Sequence, residues 1–141
     1  MRVVLWMLVA LPLACGGMSG PAQLSVGGTY DTTVALLPGG TCGTPTVANN
    51  QTVIAQTPGS TSLTLTHAGF TYAGTVGMSW NFNVPATAVN ATTQVSIAGQ
   101  FSAMGFSATV HVTQQQPACA YDVSWVGAKN GPPNVEPGYG G

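Results

Sequence analysis

Apolar and polar residues alternate one by one along most of this chain, and this alternation is the feature that most restricts its fold. In the segment 62–66, two leucines alternate with serine and threonine, and Trp80, Phe82 and Val84 are separated by two asparagines. Successive side chains of a β-strand point to opposite faces of the sheet, so a period of two places the apolar residues on one buried face. Helices are disfavoured because only 4% of the residues are charged, so no segment has the polar face of a solvated helix.

The pattern predicts about eight strands, joined by short connections that are rich in turn residues. The predicted strands are 28–37, 51–57, 60–66, 71–76, 78–84, 92–99, 101 or 106 to 112, and 120–126. This spacing favours antiparallel hairpins between sequence neighbours. Strands that each have one apolar face must close on themselves or pair as two sheets. We therefore expect an all-β fold, a small antiparallel up-and-down barrel, with a two-sheet sandwich as the alternative.

The first 14 residues have the composition of an export signal. Arg2 provides a positive charge, residues 3–13 form an apolar run, and a zone of small residues follows at 14–16. The apolar run is too short for a transmembrane helix, which needs about 20 residues. We interpret 1–14 as a signal peptide.

The stretch 11–17, Leu-Pro-Leu-Ala-Cys-Gly-Gly, resembles the lipobox of bacterial lipoproteins. In that family a small residue precedes a cysteine that is acylated and becomes the mature N-terminus; Pro12 stands here where the family has leucine. The resemblance implies that Cys15 is lipidated. Because Gly16 rather than an aspartate follows this cysteine, it also implies retention in the outer membrane. The alternative is an ordinary secretory signal, cleaved after Gly16 or Ala22.

These features divide the chain into four parts. Behind the signal peptide we expect a glycine-rich tether at 15–26, one β-domain at 27–127 and a flexible Gly/Pro tail at 128–141. A domain of roughly 110 residues is large enough for one hydrophobic core and too small for two. The β-domain carries no motif that identifies a family.

The chain has three cysteines, an odd number that needs an explanation in an exported protein. If Cys15 is acylated, Cys42 and Cys119 remain as a disulfide pair. Cys42 follows the first predicted strand and Cys119 begins the last, so a bridge would join the two strands that meet when a barrel closes. Free or metal-binding thiols are the alternative, but the sequence has neither a CxxC motif nor a histidine beside them.

Charge and catalytic residues are too sparse for most functions. The formal net charge of −1 lacks the Lys and Arg clusters that nucleic acids or polybasic membrane binding require, so any membrane contact would come through the lipid. His67 falls at a predicted turn and His111 on a predicted outer face, where both would be solvated. Asp31 and Asp122 are also expected to face outward, and Glu136 falls in the tail. We therefore expect no enzymatic activity, metal or cofactor.

The hypothesis that best fits these observations is a non-enzymatic lipoprotein of the cell envelope, acting as a structural or interaction module with an unidentified protein or glycan partner. The alternative is a carrier or sensor that holds a small apolar ligand inside the barrel. Its cavity would be lined by aromatic residues, namely Trp80, Trp125, Tyr72 and Tyr121, with Tyr30 as a further candidate. A filled core competes with this alternative, because an eight-stranded barrel is only just wide enough for its own side chains.

Overall fold

Eight strands form where the alternation predicts them. The computed structural model describes residues 23–137, and the strands close into an antiparallel barrel in which each pairs with its sequence neighbour and the first pairs with the last. The expected up-and-down barrel is confirmed, and the sandwich alternative is wrong. The strands are β1 (Gly28–Leu36), β2 (Asn50–Ala55), β3 (Ser62–His67), β4 (Phe70–Val76), β5 (Asn81–Ala88), β6 (Thr93–Ser102), β7 (Gly105–Gln115) and β8 (Ala118–Asn130).

The core lies along the barrel axis and is built from the apolar half of the alternation. In β7, for example, Phe106, Ala108, Val110 and Val112 point inward and are buried, and the residues between them face solvent. The outer face consists mostly of Thr, Ser, Asn, Gln and Ala. Closure of the sheet pairs β1 with β8, so neither strand is left as a free edge.

The two ends of the barrel differ in what covers them. At one end lie the segments 23–27 and 131–137 and the turns 56–61, 77–80 and 103–104; we call this the terminal end. Backbone hydrogen bonds hold these segments together, for example from Gly59 to Leu24 and from Asn134 to Ala103, both 2.8 Å. At the other end lie the long loop 37–49 and the turns 68–69, 89–92 and 116–117; we call this the disulfide end.

The disulfide between Cys42 and Cys119 is confirmed, with Cα atoms 5.1 Å apart. It fastens the loop 37–49 to the beginning of β8. Two further contacts align the loop with this strand: the Thr41 N–H donates to the Ala120 carbonyl at 2.8 Å, and the Ala120 N–H donates to the Thr41 hydroxyl at 2.9 Å. The loop therefore follows β8 rather than standing free of the barrel.

The boundaries of the barrel domain are wider than 27–127. Leu24 and Val26, expected in the tether, are buried, and Ser25 forms a β-bridge with Val135. β8 continues to Asn130, so the prediction of a flexible tail from residue 128 is wrong for its first residues. Residues 1–22, which include the predicted signal peptide and Cys15, lie outside the described residues, as do residues 138–141.

The sheet has one short seam, between β4 and β5. Only two pairs, Thr75 with Asn83 and Val76 with Phe82, join these strands. The Gly77 N–H bonds to the Asn81 carbonyl and the Phe101 N–H to the Trp80 carbonyl. Since backbone groups alternate in direction along a strand, the nitrogen of Pro85 points toward β4. Proline has no N–H, so the ladder ends before it.

Candidate functional site

The four aromatic residues predicted to line a ligand cavity do not meet in one place. Tyr72 and Trp125 face the barrel interior and are each only 5% exposed. Trp80 lies at the terminal end, where its φ of 67° belongs to a turn rather than to a strand, so the alternation does not extend to it. Tyr121 lies at the disulfide end, packed partly against the core and close to Gly40.

The half of the interior near the terminal end is filled by aromatic rings. Phe82 and Phe101 lie 4.6 Å apart between ring centroids, and Tyr30 lies 5.2 Å from Phe106. The Tyr30 hydroxyl is 2.7 Å from the Val26 carbonyl oxygen and is fully buried. Burial raises the pKa of Tyr30 to about 12, so its hydroxyl stays protonated. These four rings, Tyr30, Phe82, Phe101 and Phe106, fill this half of the barrel, and we call them the aromatic plug.

A row of polar side chains crosses the middle of the interior. The hydroxyls of Thr32 and Thr52 are 2.7 Å apart, and the Thr52 hydroxyl is 2.8 Å from His67 Nδ1. The His67 ring stacks on Trp125 with centroids 4.0 Å apart. Buried polar groups need such partners, because leaving one unpaired costs roughly 1–3 kcal/mol. The row thus links β1, β2 and β3 through hydrogen bonds between polar side chains inside the core.

His67 is not the solvated turn residue that we expected. It is the last residue of β3 and only 7% exposed. It continues the inward series of Leu63 and Leu65, so an extension of the same alternation by one step would have placed it correctly. Burial lowers the pKa of His67, which favours the neutral imidazole at neutral pH.

On the outer face, His111 and Asp122 form the closest contact between ionisable groups. They are register partners on β7 and β8, and His111 Nδ1 lies 2.6 Å from Asp122 Oδ1. Both side chains are about half exposed, at 49% and 46%, as expected for residues on the polar face. They border a small depression of about 170 Å³ beside the loop residues 38–41.

A serine, a histidine and an aspartate, the residue types of a nucleophilic triad, lie side by side on this face. Ser96 on β6 is the register partner of His111, which in turn pairs with Asp122. A working triad needs a hydrogen bond between serine and histidine, and donors for the developing oxyanion. No hydrogen bond joins Ser96 to His111 within the described chain. The backbone N–H groups here belong to continuous ladders from β6 to β8. The His111–Asp122 pair is therefore best understood as a link between two strands.

The larger depressions lie elsewhere and are open to solvent. One of about 700 Å³ is lined by Gly27, by residues of the turn 56–61 and by residues of β2, β3 and β4. Another of about 580 Å³ is lined by Trp80, Met104, Phe106 and Val126. Neither contains Tyr72, Tyr121 or Trp125, so neither corresponds to the predicted ligand cavity.

Other signatures of a known function are not apparent in residues 23–137. This range has no cluster of three His, Cys, Asp or Glu side chains that could hold a metal ion. It also has no helix long and apolar enough to span a membrane. Comparison of the chain with protein-family models, with curated proteins and with solved structures gives no match.

Proposed function

We propose that this protein is an exported, lipid-anchored protein of the bacterial cell envelope that has no catalytic function and acts as an interaction module. The observation that carries the proposal is the disulfide between Cys42 and Cys119. Disulfides form and persist mainly in oxidising compartments outside the cytosol. This agrees with the export signal at 1–14, and pairing of these two cysteines leaves Cys15 as the residue for acylation.

The filled interior favours an interaction module over a carrier. The aromatic plug occupies the terminal half of the barrel, and the row from Thr32 to Trp125 occupies the middle. The surface, by contrast, is rich in hydroxyl and amide side chains and has few charges. Such a surface can hydrogen-bond to uncharged partners, so a glycan or a neighbouring protein subunit fits it better than a charged ligand.

The test is the intact mass of the protein purified from its native host, measured with and without reduction. We expect a mature chain that begins at Cys15, carries a diacylglyceryl group and an acyl chain, and gains two hydrogens on reduction. A Cys15→Ala variant should leave the washed membrane fraction, whereas a Thr64→Ala control, on the outer face of β3, should remain there. An unmodified chain that begins after Gly16 or Ala22 would refute the lipid anchor.

A further inference from the structure

Of the six large apolar side chains that are exposed in residues 23–137, three lie in the turns and segments of the terminal end, Val53 and Val126 lie on the outer faces of strands, and Phe70 lies at the disulfide end. Met78, Met104 and Val135 come from three separate segments and are 62%, 52% and 39% exposed. Backbone hydrogen bonds place these segments together: Phe101 donates to the Trp80 carbonyl, Lys129 to the Met104 carbonyl, and Asn134 to the Ala103 carbonyl. Val126, 54% exposed, shares a depression with Met104. Together Met78, Met104, Val126 and Val135 form what we call the apolar rim.

The disulfide end has a different surface. Phe70 is its one exposed large apolar side chain within the described range, and the loop 37–49 consists largely of Gly, Thr, Pro and Asn. The molecule is therefore polarised along its axis. Scattered apolar residues on a surface are ordinary, but a group contributed by several segments at one end indicates a contact surface.

Contact of the apolar rim with lipid would bury few charged groups. The carboxylates of Asp31 and Asp122 lie on the outer faces of β1 and β8, and Glu136 is the one acidic residue in the segment 131–137. The only lysine of this region, Lys129, is paired with Asn134 at 2.7 Å. Burying charged groups is expensive, whereas this end would bury few of them.

We propose that the terminal end rests on a lipid bilayer, with the methionines of the apolar rim entering the interfacial layer. This inference rests on the proposed lipid anchor, because the N-terminal segment joins the barrel at this same end. Gln23 lies only eight positions after Cys15, with seven residues between them. A chain of that length reaches at most about 28 Å even when fully extended. An acylated Cys15 thus keeps the apolar rim close to the bilayer.

The rim also provides a second contact with the bilayer. The three chains proposed on Cys15 already anchor the protein stably, because two acyl chains are enough for stable membrane binding. Apolar side chains that insert beside a lipid anchor would restrict the barrel to one orientation. The disulfide end would then point away from the membrane and toward partners in solution.

The experiment places a polarity-sensitive fluorophore on either end of the exported protein. Met104→Cys carries the label at the terminal end, and Ala91→Cys, in an exposed turn at the disulfide end, is the matched control. Each protein is mixed with phosphatidylethanolamine and phosphatidylglycerol vesicles that contain a lipid-borne quencher. We expect a blue shift and strong quenching at position 104 and neither effect at position 91.

A second comparison tests whether the methionine side chains cause the contact. In this comparison the label is at Val135→Cys, and protein whose label is quenched by the bilayer is counted as docked. The double substitution M78S/M104S removes apolar area that would insert into the bilayer. It should therefore lower the ratio of docked to undocked protein by at least about tenfold. The matched control, Thr64→Ser on the outer face of β3, should leave the ratio unchanged. Equal ratios in the two proteins would overturn the assignment of the contact to the apolar rim.

The outcomes separate this inference from the proposed anchor, because mass spectrometry reports acylation independently. An acylated protein with a solvent-exposed label at position 104 overturns the inference and leaves the anchor standing. An unmodified protein whose label still enters the bilayer supports the inference and refutes the anchor. An unmodified protein with an exposed label refutes both. A label that is shielded without vesicles, in a protein that sediments as a dimer, overturns the inference in favour of a second copy of the chain.

Discussion

His67 shows how one side chain can connect three strands of this barrel. It joins β3 to β2 through Thr52 and to β8 through its stacking on Trp125. The sequence predicts the inward direction of Leu63 and Leu65, but a histidine at the end of the series is easily assigned to the following turn. Its burial depends on Thr52 and Trp125, which are distant in sequence. No local pattern could reveal those partners.

The burial of His67 predicts a pH dependence of stability. Because its pKa is lowered in the folded state, the unfolded chain takes up a proton first as the pH falls below about 6.5. We expect the free energy of unfolding to decrease as the pH falls through this range, with a slope of at most about 1.4 kcal/mol per pH unit, the limit for one proton. Urea unfolding between pH 7.5 and 5.5 measures it.

The other histidine offers a matched control for this experiment. His67→Gln should remove most of the slope, whereas His111→Gln, on the half-exposed outer face, should retain it. If both variants kept the wild-type slope, the buried imidazole would not be its source.

At the scale of the strands, the barrel is uneven. β7 and β8 share eleven register pairs, whereas β4 and β5 share two, because Pro85 cannot donate to β4. The sequence shows the proline and the apolar residues around it, so an interrupted ladder could be anticipated. Which neighbouring strand would lose its hydrogen bonds could not, since that depends on the direction of one backbone nitrogen in the closed sheet.

The short seam predicts alternating amide protection within β4. Thr71 and Ala73 direct their N–H groups toward β5 beyond the last pair, whereas the Tyr72 N–H points toward β3. We therefore expect the first two amides to exchange with solvent much faster than that of Tyr72, as measured by hydrogen exchange with NMR detection. In Pro85→Thr, the restored N–H can donate to the Ala73 carbonyl and extend the ladder, and the closer pairing of the two strands should slow exchange of the Ala73 amide. Equal protection of Ala73 and Tyr72 in the native protein would contradict this interpretation.

Packing between β7 and β8 depends on a glycine. A Cβ added to Gly127 would lie 2.2 Å from the ring of Phe106, which is itself held by Tyr30 and Phe101. We expect Gly127→Ala to destabilise the protein by roughly 1–3 kcal/mol, the usual cost of overpacking. Thermal unfolding measures the change. Gly77→Ala is the control, since its Cβ would be 3.7 Å from the nearest atom, and it should change stability by no more than about 0.5 kcal/mol.

For the whole molecule, the sequence predicts the barrel better than its ends. Period-two alternation placed the eight strands, and the positions of Cys42 and Cys119 predicted the bridge. The segment 131–137 has no periodicity, so nothing local indicated that Asn134 would be buried beside Tyr30. Leu24 and Val26 do continue the alternation of β1 across Ser25, but this short run was assigned to the tether. The candidate site was less predictable still, because the contact of His111 with Asp122 arises from strand register and the apolar rim from turns and a terminal segment that meet only in the closed barrel.

The disulfide should contribute much of the global stability. It closes a loop across 77 positions of sequence, and the chain-entropy model assigns such a loop about 4.5 kcal/mol. We expect the double variant C42S/C119S to lose between roughly 2 and 4.5 kcal/mol, measured by urea unfolding at neutral pH. Unchanged stability would mean that the hydrogen bonds between Thr41 and Ala120 hold the loop without the covalent bond.

The arrangement of the termini has a practical consequence for engineering. Both the N-terminal and the C-terminal segments leave the barrel at the same end, and the bridged loop 37–49 lies at the opposite one. A tag fused to the C-terminus would therefore follow a segment that leaves the barrel on the side that carries the apolar rim. A peptide grafted into residues 43–48, between the bridge and β2, would instead lie at the disulfide end. The disulfide fixes this loop to β8, so the loop is the natural insertion point for epitope display.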